Sequence, residues 1–133
     1  MKTNKILSSY KELHVWQRAM ELVVSVYKVT VNFPKEEIYG LTSQIRRSAI
    51  SIPSNIAEGR MRGTRKDFVQ FLRIAYASGA ELETQIEISK QLPRTNMLDY
   101  SKVDSLLNEI MKMLNVMIRK LNPNAANKLS ATS

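Results

Sequence analysis

The sequence predicts an all-α protein, an antiparallel up-down four-helix bundle, and three observations carry that prediction. Apolar residues recur at three- and four-residue steps through four segments of similar length. Only 4 glycines and 4 prolines punctuate 133 residues, too few for the turns of an all-β fold. At ~1.5 Å rise per residue each segment spans roughly 30 Å, so four matched helices joined by short links pack side by side.

The first helix is predicted over residues 11–32, with Leu13, Trp16, Met20, Val23, Tyr27 and Val31 as its buried stripe. Val15, Leu22, Val26 and Val29 widen that stripe to one side, and Phe33-Pro34 ends the helix. The second is predicted over 37–58, burying Leu41, Ile45, Ala49, Ile52 and Ile56. Pro53 lies inside this pattern and is compatible with two short helices. Because the stripe keeps its phase across the proline, one helix kinked at Pro53 is preferred. Gly59 is assigned as its left-handed C-terminal cap. The third opens at Thr64-Arg-Lys-Asp67, a capping-box-like start, and follows Phe68, Phe71, Leu72, Ala75, Gly79, Leu82 and Ile86 to near Gln91. The fourth begins near Ser101, follows Val103, Leu107, Ile110, Met111, Leu114, Met117, Ile118 and Leu121, and stops at Asn122-Pro123. Residues 1–10 are expected to be a flexible segment, 11–122 the bundle, and 123–133 a small, polar, disordered tail.

Composition narrows the function. With 44% hydrophobic and 24% charged residues, the chain reads as one soluble globular domain. Zero cysteines exclude a disulfide framework and thiolate zinc sites. No apolar run approaches a membrane span, and the N-terminus lacks a secretory signal's apolar core, so a cytoplasmic protein without membrane contact is expected. Four-helix bundles hold di-iron centres with Glu-x-x-His motifs. Here the only histidine, His14, has no glutamate three residues before it and projects to the solvent face, so Glu81, Glu83 and Glu87 do not make such a site. Gly59-Arg-Met-Arg-Gly63 lacks the Gly-Lys-Ser/Thr of a phosphate loop. The expectation is therefore a non-enzyme with no cofactor, no metal and no catalytic residue.

Twenty Lys and Arg against twelve Asp and Glu give a net charge of +8, spread along the chain. Arg60, Arg62, Arg65 and Lys66 fall within seven residues, shortly after Arg46 and Arg47. Such a surface attracts nucleic-acid phosphates, although no aromatic residues interleave with the cluster. Arg46 and Arg47 have two readings: phosphate contacts, or ion pairs with Glu58, Glu81 or Glu83 across helices or subunits. The second reading is favoured.

Two helices carry apolar or small residues away from their stripes. The third presents Ile74, Ala77 and Ile88 beside Glu81, and the second presents Ile50, Ser54, Ala57 and Glu58. Small residues admit a neighbouring helix and outward isoleucines favour a partner, so this face is expected to mediate self-association.

The stretch Ile45-Arg-Arg-Ser-Ala-Ile-Ser-Ile-Pro-Ser-Asn-Ile-Ala-Glu-Gly59 is far from generic. With Leu13-His-Val-Trp-Gln-Arg-Ala19, Tyr39-Gly-Leu-Thr-Ser-Gln44, Phe71-Leu-Arg-Ile-Ala75 and Glu81-Leu-Glu-Thr84, it resembles a bacterial family of four-helix-bundle proteins. That family was first noticed in reading frames inside intervening sequences of 23S rRNA genes, and its members are often labelled small-subunit ribosomal proteins. The accessory variability protein of diversity-generating retroelements is similar: a barrel-shaped homopentamer with a basic surface that binds nucleic acid and a reverse transcriptase. The resemblance implies a homopentamer that binds RNA or DNA, with Arg46, Arg47, Arg60, Arg62, Arg65 and Lys66 matching its basic character. It also leaves open a scaffold that docks an acidic protein partner.

Overall fold

The structure, a computed structural model, describes residues 9–122. The expected tail at 123–133 and all but the last two residues of the expected flexible segment lie outside that range. Four α-helices account for most of it, and no strand is present among the described residues. They are α1 (His14–Thr30), α2 (Leu41–Met61), α3 (Arg65–Gln91) and α4 (Ser101–Leu121).

A short 3-10 turn, Tyr10–Glu12, precedes α1, where the sequence predicts helix from residue 11. Ser9 Oγ accepts from the Lys11 amide at 3.1 Å, and the turn sets the Tyr10 ring edge-on to Trp16. The buried face of α1 is Val15, Ala19, Leu22 and Val26, joined by Ser25 and Thr30. Met20, Tyr27 and Val31, assigned to the stripe, are exposed, Val31 at 71%. Leu13, Trp16 and Val23 pack half-buried at the rim. The buried face is thus centred on the side where Val15, Leu22 and Val26 widen the predicted stripe, and Ala19 joins them there. Small residues, Ala19, Ser25 and Thr30, fill this face between the fully buried Val15, Leu22 and Val26. Thr30 is buried at no polar cost because its hydroxyl donates to the Val26 carbonyl at 2.8 Å.

α2 starts later than the sequence pattern suggests, because a 3-10 turn at Lys35–Glu37 and the bend to Gly40 occupy the intervening residues. The helix then runs uninterrupted through the buried Pro53, whose missing amide leaves the Ala49 carbonyl without its usual partner. Ile45, Ala49, Ile52 and Ile56 are fully buried along it. Gly59 is not the helix cap. It lies inside α2, buried, where a Cβ would stand 2.5 Å from Phe71 Cβ, so its role is close approach of α2 to α3. The left-handed residue is Gly63 (φ +89°), one position beyond Arg62, which caps the helix end at Met61.

Thr64 caps α3 as predicted, its Oγ1 accepting from the Asp67 amide at 3.1 Å. Leu72, Ala75, Leu82 and Ile86 of α3 meet Val103, Leu106, Leu107, Ile110 and Leu114 of α4 in the same core. Gly79 makes room for Met111 Sδ. The α3–α4 connection is pinned by Thr95 Oγ1 donating to the Ser89 carbonyl (2.7 Å) and Tyr100 Oη donating to the Thr95 carbonyl (2.8 Å). Paired positions give the helix directions. Gly59 lies against Phe71 and Ser51 against Ser78, so α2 and α3 run oppositely. Lys90 pairs with Asp104 and Gly79 with Met111, so α3 and α4 do too. Arg18 grips Glu109 through Nε and Nη2, tying α1 to α4. Among the described residues no helix is long and apolar enough to cross a membrane.

Candidate nucleic-acid interface

The six basic residues singled out in the sequence do not form one patch. Arg46 and Arg47 sit near the start of α2 and the other four at its far end, ~20 Å away at ~1.5 Å per residue. The far-end group owes its position to the Arg62-Gly63-Thr64 connection. The left-handed Gly63 and the Thr64 cap reverse the chain in the shortest space, which sets Arg60 and Arg62 on one helix end beside Arg65 and Lys66 on the next.

Within this group the four cations are unequal. Arg62 Nη2 donates to Glu58 Oε2 at 2.7 Å, and its guanidinium lies 4.9 Å above the Phe71 ring. The Glu58 hydrogen bond raises the Arg62 pKa above its ordinary value. Arg60 is half-buried, while Arg65 and Lys66 are exposed and make no ion pair among the described residues. The opposite directions of α3 and α4 bring a further pair to this end: Arg119 and Lys120, exposed in the last turn of α4. More than fifty residues separate them from Arg65, so no local charge count joins them to the cluster.

At the other end, Arg46 is tied to α1. Its Nε donates to Thr30 Oγ1 at 2.8 Å and its guanidinium stacks 4.3 Å from the Tyr27 ring centre. Arg47 is exposed. Neither arginine pairs with Glu58, Glu81 or Glu83 among the described residues, and Glu58 is taken by Arg62. The intrachain form of the ion-pair reading is therefore corrected: Arg46 finds a hydroxyl and an aromatic face instead.

On the outward faces of α2 and α3, Ile50, Ile74 and Ile88 stand 41–44% exposed, with Ser54, Ala77 and Glu81 also exposed and Ala57 half-buried. Between the two helices, Ser51 and Ser78 share a hydrogen bond of 2.8 Å, and Asn55 Nδ2 donates to Ser51 Oγ and to its carbonyl. Small polar residues thus close the seam beneath the apolar ones. His14 is exposed, and among the described residues no three His, Asp or Glu side chains converge on a metal position.

Fold and surface together define a helical bundle with cationic side chains concentrated at one end and at the start of its second helix. The model of the 23S rRNA-intervening sequence protein family matches residues 11–116, and the chain belongs to that family. A search of curated proteins found no match.

Proposed function

We propose that the protein is a non-enzymatic, homo-oligomeric, cytoplasmic bundle protein that binds nucleic acid, foremost structured RNA, through its basic surface. The observation that carries this reading is the α2–α3 turn, where Arg65 and Lys66 project from a rigid hairpin with no acidic partner among the described residues. Unpaired cations on a preformed turn attract phosphates without first breaking an ion pair, and each contact releases counterions. Arg119 and Lys120 extend the same end toward α4. Membership in a family named for 23S rRNA intervening sequences supports an RNA target.

Self-association is proposed through the isoleucine-bearing faces of α2 and α3, in a five-membered assembly as the resemblance to the retroelement accessory protein implies. The test of the nucleic-acid reading is Arg62→Glu combined with Arg65→Glu, measured by filter binding to a structured rRNA fragment. Binding should weaken strongly while the helical circular-dichroism spectrum and native mass stay unchanged. Binding that persists unaltered at moderate salt would remove these residues as the contact. Retention of an acidic protein from nuclease-treated lysate, with no RNA binding, would replace the reading with that of a protein scaffold.

A further inference from the structure

The bundle leaves two rows of exposed side chains unpartnered, and the rows match. On α1 and the Val31 that follows it, Gln17, Met20, Val24, Tyr27 and Val31 recur at alternating steps of three and four residues. The four apolar members stand 40–71% exposed. On α3, Ile74, Ala77, Glu81, Thr84 and Ile88 recur at the same steps in the same order, and all are exposed. This is the seam spacing through which two helices pack knobs into holes.

The two seams cannot meet within one chain. α1 and α3 each pack against α2 and α4, so they stand at diagonal corners of the bundle. The end of α1 meets the start of α2, and the turn before α1 also touches α2, so α1 runs opposite to α2 and parallel to α3. The seams also share a height. Tyr27 lies against Arg46, and the rise from Ser51 to Arg46 on α2 equals that from Ser78 to Thr84 on α3 to within ~1.5 Å, which sets Tyr27 and Thr84 level. Parallel, level seams are what neighbours around a cyclic axis require, because a closed ring has no rise from one subunit to the next.

The polar members point to a second copy as the partner. Gln17 donates its Nε2 to the Lys11 carbonyl and Thr84 its Oγ1 to the Ala80 carbonyl, both at 2.9 Å, so each enters a contact already satisfied. Glu81 makes no ion pair among the described residues. Beside the α1 seam, Arg46 is held over Tyr27 by its Nε, and its Nη atoms donate to no protein group. One seam therefore carries a free carboxylate and the other a free cation. An open groove of about 450 Å³ between α1 and α2, walled by Tyr27, Ile38, Arg46, Arg47 and Ile50, is the recess a neighbouring helix ridge would fill.

We propose that the α3 seam of one copy docks on the α1 seam of the next, with Glu81 facing Arg46 across the contact, in a heterologous interface that repeats head to tail until it closes. Tyr27 reaches α2 through Arg46, and Glu81 lies one turn from Ser78, which bonds Ser51 of α2. Both seams thus lean toward α2, and the curvature places α2 on the inner side of the ring. The proposal rests on the self-association reading above and supplies the face that receives the α3 isoleucines, with Ile50 at its rim.

The test uses the full chain, which has no cysteine, so that Met20→Cys combined with Ala77→Cys introduces the only thiols. Mild oxidation should link this double variant into a ladder of covalent multimers, while neither single variant crosslinks. Val24→Asp, a change at an exposed position, should raise the concentration needed for assembly roughly tenfold or more in sedimentation, with the helical circular-dichroism spectrum unchanged. A Val24→Asp protein that assembles like the parent, or a double variant that forms no ladder, overturns the proposal. So does a covalent dimer from Ala77→Cys alone, which marks a two-fold α3 contact instead. A parent chain that is itself monomeric removes the self-association reading, a failure distinct from that of this pairing of faces.

Discussion

Gly59→Ala tests the packing that sets up the basic hairpin. The added methyl would lie 2.5 Å from Phe71 Cβ and 3.3 Å from Phe68 Cδ1. Phe71 Cβ is fixed to the α3 backbone, so relief requires the two helices to separate rather than one side chain to rotate. Overpacking of this kind costs about 1–3 kcal/mol. Against it stands the gain of about 1 kcal/mol from replacing glycine by alanine inside a helix. Because the obstacle is rigid, the upper part of the overpacking range applies, and a net loss of about 1–2 kcal/mol results. For a chain of this size that lowers Tm by roughly 3–8 °C. Gly79→Ala is the internal control, since there the new methyl meets the Sδ of Met111, the far end of a flexible side chain. Met111 moves aside, and the helix gain leaves Tm unchanged or higher. Thermal unfolding of both variants by circular dichroism decides the matter. A Gly59→Ala protein as stable as the parent would refute the close α2–α3 approach.

Further outcomes are expected. Thr64→Ala removes the α3 cap and should cost about 1 kcal/mol in a denaturant titration. Glu109 has its pKa held below the ordinary 4.5 by the hydrogen bond from Arg18 and by its charge. A depressed folded-state pKa stabilises above the unfolded value and is lost as pH falls through the folded one, so Glu109→Gln should flatten the decline of Tm below about pH 4.5. Arg65→Ala with Lys66→Ala should reduce the slope of log K against log salt for RNA by about 1.4–1.8, whereas Arg62→Ala, which frees Glu58, should weaken affinity more than its own contact explains. Ile50→Asp should split the oligomer, seen by sedimentation, without loss of helicity, because an unpaired charge is costly in an apolar contact.

Much of the architecture was legible in the sequence because helix periodicity is a local signal. Thr64-x-x-Asp67 marks the α3 cap by itself, and the α2 stripe from Ile45 to Ile56 keeps one phase. On α1 the apolar arc is too broad for periodicity to centre it: Val15, Leu22 and Val26, at the side of the predicted stripe, are buried, while Met20, Tyr27 and Val31 within it are exposed. Gly59 reads as a cap in the sequence because glycine's conformational freedom and its lack of volume look identical there. The site was less legible for a related reason: its parts come from distant positions. Nothing near Arg46 in sequence announces Thr30 and Tyr27, and nothing near Arg65 announces Arg119 and Lys120.

The central claim is an oligomer that binds RNA through its cationic surface, and native mass by light scattering addresses both halves at once. The protein is measured alone and with a structured rRNA fragment, each at low and moderate salt. The account predicts a particle of five 15.2-kDa chains that gains the mass of bound RNA at low salt and releases it as salt rises. A monomer whose mass is indifferent to RNA at either salt would contradict it.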